Sequence, residues 1–253
     1  MTDRQLKSAF SHNEPAAVAS ASLGRCPAAG SERSAAEFEP GAPIIKICGL
    51  NAPAEAELAA RLGADLCGFI FHPPSLRAVS PAQAAKMPTP GAVRVGVFVR
   101  QCLSEILEII DQARLDMVQL HGEQSPVLAA EIGPERIIRV FWPEKAAVPG
   151  AESLDDLFNR WLHLAKWFLF DAGLAAGGHG RRLAVKFKCP KPYFLAGGLT
   201  GTDVVSGWPP ADPNLVGFDL NSSLESSPGR KDPAAIRAMM ASLGTIKTLP
   251  QSL

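Results

Sequence analysis

The chain has 253 residues, 25 basic and 25 acidic side chains, a formal net charge of zero and 47% apolar content, enough for one large α/β domain or two small ones. No charge block marks a nucleic-acid-binding face, and no apolar run approaches the roughly 18 residues of a membrane span. Neither nucleic acid nor membrane is therefore an expected partner.

Five cysteines without CxxC spacing form no disulfide framework, which suits a reducing, cytoplasmic setting. Residues 1–42 are rich in Ala, Ser, Gly and Pro and hold no sustained apolar period. Such a stretch cannot bury enough surface to offset its ordering entropy. It is expected to be a disordered or poorly ordered extension ahead of a catalytic domain over 43–253. It lacks the apolar core of a secretory signal. Arg4, Lys7, Arg25 and Arg33 among Ser and Ala resemble a transit peptide, but Asp3, Glu14, Glu32, Glu37 and Glu39 fit that reading poorly.

From Gly41 the pattern alternates between β-rich runs and helical periods. Ile44 to Ile47 reads as a strand buried on both faces that delivers Cys48 and Gly49 at its carboxyl end. Asn51 is expected to cap the next helix, with Pro53 in its first turn and Gly63 past its end. Leu66 to Phe71 is a second strand. It leads through His72-Pro73-Pro74-Ser75-Leu76-Arg77 to a capping-box start at Ser80, Pro81 and Gln83. Val93 to Phe98 is a third strand, and Leu103, Ile106, Leu107 and Ile110 form an amphipathic stripe behind it. Strands follow at 116–120, 136–141, 167–170, 193–196 and 215–218. Helices are predicted over Pro126 to Glu131, over Asp155 to Ala165, after Thr200 with Val204, Val205 and Trp208, and after Asp232-Pro233. Leu183 to Lys188 is ambiguous. Eight strand-then-helix units suit a single (β/α)₈ TIM barrel, with an open doubly wound sheet as the alternative.

A barrel gathers the residues at its strand ends into one site at the carboxyl face. Here they are Cys48, Arg77, His121, Asp171, Gly197-Gly198 and Asp219 with Ser222-Ser223. Cys48 is either a small buried hydrophobe or a reactive thiol. Asp171 is either a helix cap or a catalytic acid. The Arg77 fork matches a carboxylate, unless it is a plain surface arginine. His121 is as well explained as a structural hydrogen-bonder, since nothing near it has metal-ligand spacing. Three loops, Gly177-Gly178-His179-Gly180, Gly197-Gly198 and Asn221-Ser222-Ser223, stand where barrels of this kind bind phosphate. Each glycine taken alone marks a plain turn.

Several blocks carry a family resemblance: Lys46-Ile47-Cys48-Gly49-Leu50, Gln119-Leu120-His121-Gly122, Phe170-Asp171, Leu195-Ala196-Gly197-Gly198-Leu199-Thr200 and Pro228-Gly229-Arg230-Lys231-Asp232. In these blocks the sequence resembles the phosphoribosylanthranilate isomerases of tryptophan biosynthesis, over about Pro43 to Leu243. The resemblance implies an Amadori rearrangement of a small phosphosugar substrate without cofactor or metal, and the protein is expected to be a monomer or homodimer. The resemblance assigns Asp171 as general acid and Cys48 as general base. Arg77 is assigned to the anthranilate carboxylate and Asp219 to the pocket, where His121 is a further candidate for substrate binding. Gly178, Gly180, Gly197, Gly198, Ser222 and Ser223 are assigned to the phosphate. Two departures touch the phosphate loops: Arg181-Arg182-Leu183-Ala184-Val185 replaces the family's Lys-Thr-Phe-Asp-Trp, and Ser223 replaces a glycine. Those changes motivate an alternative, a phosphate-sugar-binding barrel that has lost catalysis. A histidine-pathway sugar isomerase is the other alternative, although such enzymes typically carry aspartate where Cys48 stands. A metal-dependent epimerase lacks its His and Asp ligand set.

Overall fold

A computed structural model describes Phe38 and residues 41–171, 188–208 and 210–247. Eight parallel strands close into a barrel in chain order: β1 (Ile44–Ile47), β2 (Leu66–Ile70), β3 (Val93–Phe98), β4 (Met117–Leu120), β5 (Ile137–Phe141), β6 (Trp167–Asp171), β7 (Tyr193–Ala196) and β8 (Leu215–Leu220). The last strand returns to the first through the register pairs Ile44 with Gly217, Ile45 with Phe218, Lys46 with Asp219 and Ile47 with Leu220. The helices on the outside are α1 (Pro53–Arg61), α2 (Pro81–Ala85), α3 (Leu103–Ala113), α4 (Pro126–Ile132), α5 (Pro143–Ala146), α6 (Leu154–Trp161), α7 (Gly201–Ser206) and α8 (Pro233–Lys247). A short antiparallel hairpin, β9 (Glu225–Ser227) with β10 (Arg230–Lys231), precedes α8. No helix among the described residues is long and apolar enough to cross a membrane.

Alternation along the strands splits the core in two. Ile44, Leu66, Val93, Val95, Met117, Ile138, Val140, Trp167, Leu169 and Phe194 fill the barrel interior. The outward set packs under the helices and includes Ile45, Ile47, Phe69, Phe98, Phe141, Phe168 and Phe170. Phe141, Phe158, Phe168 and Phe170 pack ring on ring, with centroids 4.9–6.0 Å apart, and weld α6 to β5 and β6. Phe38 packs at a tilt on Trp167, ring centroids 5.6 Å apart, and joins the interior cluster, while the remaining residues before Gly41 lie outside the described set.

The local signals act as expected at several points. Ser80 and Gln83 form a reciprocal capping box, Gly63 takes a positive φ of +95° after α1, and Ile106 anchors the buried stripe of α3. Three expectations are corrected. The N-cap of α1 is Ala52, without a side-chain bond, because the Asn51 amide donates instead to the Gly229 carbonyl at 2.7 Å. α6 ends at Trp161 and does not continue to Ala165. Trp208 lies beyond α7, which Gly207 terminates, and its indole donates to the Gly41 carbonyl at 3.2 Å. The ambiguous stretch from Leu183 falls outside the described residues except for Lys188.

Phe168 is fully buried in the ring cluster against Phe141 and Phe158. Phe168→Ala leaves a cavity there and is expected to lower unfolding free energy by about 3–5 kcal/mol, measured by urea denaturation. A loss under 1 kcal/mol would show that the cluster does not hold α6 to the barrel.

Candidate active site

The carboxyl face of the barrel collects the predicted residues from separate strands. Cys48 follows β1 and is held there by its backbone N–H, which donates to the Leu220 carbonyl of β8 at 2.8 Å. Its side chain is buried. Gly49 then turns with φ +72°, where a Cβ would stand 2.7 Å from Cδ of Arg77 and 3.0 Å from Oδ1 of Asn221. Only glycine fits that corner, and it brings the loop after β2 and the end of β8 against the thiol.

Directly beneath Cys48, two residues earlier on the same face, lies Lys46. Its side chain is fully buried and its Nζ donates to Oδ2 of Asp219 at 2.7 Å. Burial alone lowers an ammonium pKa, but Asp219 and Cys48 together outweigh it and hold Lys46 above its ordinary value. Burial works the other way on Asp219 and raises its carboxyl pKa, opposed first by Lys46. Burial pushes the Cys48 thiol up, opposed first by Lys46. Gly68 on β2 opens the space both groups occupy: a Cβ there would lie 2.9 Å from the Cys48 sulfur and 3.2 Å from the Lys46 nitrogen.

Across the mouth, Asp171 is the last residue of β6, in register with Ala196. His121 after β4 places Nε2 at 3.9 Å from its Oδ2. Burial pushes His121 down to about 4, so the imidazole is neutral at pH 7 and meets Asp171 as a polar neighbour without charge. Its Nδ1 lies 3.3 Å from Nε2 of Gln119, and Trp142 stands edge-on to it at 5.3 Å. Asp219 ends in the interior beside Lys46, one residue before the close of β8.

Arg77 is already engaged. Its Nε and Nη2 each donate to Glu225 at 2.6 Å, and that carboxylate raises the guanidinium pKa. The edge formed by Nη1 and the second N–H of Nη2 remains for another acceptor. Lys231, buried on β10, donates to Asn221 O at 3.0 Å, Asn221 Oδ1 at 2.7 Å and Glu225 Oε1 at 3.1 Å. Burial works against the Glu225 charge, but Arg77 and Lys231 outweigh it and hold the carboxyl below its usual range.

On the side where phosphate is expected, Gly197 and Gly198 take φ of +104° and +69°. Ser222 and Ser223 lie in a single 3₁₀ turn, Ser222–Leu224. Ser223 has no positive φ, so replacing a glycine there introduces no backbone strain, and its hydroxyl is buried without a partner. Gly178, Gly180 and the Arg181 to Val185 departure lie outside the described residues. Among the described residues no three His, Cys, Asp or Glu side chains group to hold a metal.

A family model for N-(5'phosphoribosyl)anthranilate (PRA) isomerase matches residues 45–242. The chain belongs to this family. It is 43% identical over 202 residues to the N-(5'-phosphoribosyl)anthranilate isomerase of Desulfovibrio desulfuricans, covering 78% of this chain and 94% of that protein. The Maridesulfovibrio salexigens isomerase is 38% identical over 207 residues, covering 79% and 98%. Among solved structures, the Thermotoga maritima phosphoribosyl anthranilate isomerase superposes with a TM-score of 0.67 at 27% identity, covering 80% of this chain and 99% of that one. A further phosphoribosyl anthranilate isomerase structure, a complex with reduced 1-(o-carboxyphenylamino)-1-deoxyribulose 5-phosphate, gives 0.61 at 25% identity over 80% and 99%.

Lys46, Glu225, Lys231 and Trp142 are the site residues that sequence reasoning missed. For Lys46 a signal existed: a lysine inside an isoleucine run buried on both faces needs a buried partner. Gly68→Ala is expected to push the Cys48 sulfur aside and lower kcat about 100-fold with the fold retained, as read by steady-state kinetics beside circular dichroism. Unchanged kcat would show that the sulfur has room to spare. The His121 ring is expected to stay neutral down to about pH 4 in an NMR titration. Its depressed pKa means that the unfolded chain binds the extra proton first, so stability falls as pH drops from about 6.5 toward 4. A ring titrating near 6.5 would refute that desolvation.

Proposed function

We propose that this barrel catalyses the Amadori rearrangement of N-(5-phosphoribosyl)anthranilate, with Asp171 as general acid and Cys48 as general base. Family membership supports the reaction. The observation that supports the roles is that the closed barrel carries a buried thiol just past the end of β1 and a carboxylate at the end of β6, both on its carboxyl face. Asp171 protonates the furanose ring oxygen, the C1–O bond breaks, and the anthranilate nitrogen lone pair forms C1=N. The Cys48 thiolate then takes the C2 proton; an S–H bond forms, and the electron pair makes C1=C2 as the iminium is neutralised. In the resulting enolamine, C1 gains a proton and the 2-hydroxyl loses one. This yields the ketone and returns acid and base to their starting states. Each transfer is a general acid–base step.

Arg77 would hold the anthranilate carboxylate on its unspent edge while Glu225 fixes the other. The Gly197-Gly198 amides and the Ser222 and Ser223 turn would take the phosphate, and the unpartnered Ser223 hydroxyl favours that use. Gly178 and Gly180 would complete the cup. His121 and Asp219 would line the pocket. All four cysteines described are free, as suits the reducing cytoplasm where we place the reaction.

The test is turnover of freshly prepared phosphoribosylanthranilate followed by fluorescence. Wild type should be active, and Asp171→Asn and Cys48→Ser should each lose roughly 10²–10⁴-fold in kcat. Arg77→Ala should act chiefly on KM. Near-normal rates in either of the first two variants would remove that residue's role, and a folded but inactive wild type would favour the binding barrel.

A further inference from the structure

We propose that Lys46 is a positioning residue for the base: anchored by Asp219, it supplies the fixed positive charge that lets Cys48 stand as a thiolate in a buried site. The proposal rests on the reading of Cys48 as the proton acceptor and adds to it the group that makes such an acceptor available.

The geometry selects Lys46 from the charged groups around the thiol. Lys231 has its three N–H bonds committed to Asn221 and Glu225. Arg77 points one edge at Glu225 and is assigned its other edge to substrate. His121 is neutral at pH 7. Asp219 brings negative charge and so opposes a thiolate. Lys46 spends one N–H on Asp219 at 2.7 Å and has two left. It stands on the same face as Cys48 at two-residue spacing, and the point above Gly68 lies about 3 Å from both the sulfur and the ammonium nitrogen. With no water-facing surface on Lys46, this charge cannot swing away or be screened as a surface lysine would be. Lys46 keeps its own proton throughout. When Cys48 takes the C2 proton the thiolate charge disappears, and Lys46 remains neutralised by Asp219.

A structural lysine and a thiolate-holding lysine differ in what they do to the titration of Cys48. The rate of Cys48 alkylation by iodoacetamide is therefore followed against pH, by peptide mass spectrometry because Cys102 is exposed. Lys46→Met is compared with wild type, and so is the double variant Lys46→Met/Asp219→Asn, which leaves no buried carboxylate unpaired and keeps the test open should the single variant not fold. The expected result is a titration midpoint about one pH unit or more higher in folded Lys46→Met, and a smaller rise in the double variant, which also loses the opposing Asp219 charge. The acidic limb of kcat/KM should move with it, so that rate lost at pH 7 returns as pH rises. An unmoved midpoint in a folded variant, with kcat reduced at every pH alike, would overturn the proposal and leave Lys46 a structural residue. Wild-type turnover by Cys48→Ser would instead remove the reading on which the proposal rests.

Discussion

The contact on which the rest depends is the ion pair between Lys46 of β1 and Asp219 of β8. These residues are register partners at the seam where the first strand meets the last, so one interaction both closes the barrel and sets the floor of the site. Two charges in a barrel interior are tolerated only as a pair. Their desolvation is severe, and removing one partner of such a pair typically costs about 3–5 kcal/mol. A hydrocarbon pair could close the barrel equally well. What it could not supply is a cation directly below a thiol.

A second network organises the rim. Glu225 on β9 accepts from Arg77 and Lys231, and Lys231 reaches back to Asn221 at the end of β8. The hairpin turn presses on the Arg77 loop, where a Cβ at Gly229 would meet the Leu76 carbonyl at 2.5 Å. Asn51 ties the loop after β1 to the same turn. Three loops thus share one charged knot, which fixes the guanidinium before any ligand arrives and lowers the ordering cost of binding. The two networks meet at Cys48: Lys46 lies below it, and Gly49 backs onto Arg77 and Asn221.

The capping box at Ser80 and the stripe through Ile106 are local features, and both appear as read. Asn51 misled because its amide found a partner far along the chain, at Gly229, and a cap signal cannot anticipate a competing acceptor. Trp208 misled for a similar reason, its indole being drawn to Gly41. Arg77 was read as the holder of a substrate carboxylate, and the carboxylate its Nε and Nη2 grip in the structure is the chain's own Glu225.

By itself, then, the sequence determined the alternation of strand and helix, the count of eight, the strand ends that carry Cys48 and Asp171, and the family through its ordered blocks. All of these follow from periodicity, turn chemistry and residue order, which are properties of neighbours along the chain. Only the tertiary structure decided that Lys46 meets Asp219, that Glu225 holds Arg77, that Gly68 makes room for the sulfur and that His121 is neutral. Each of these depends on groups many residues apart becoming neighbours away from water, and it is that desolvation which sets which charges persist and what they can do.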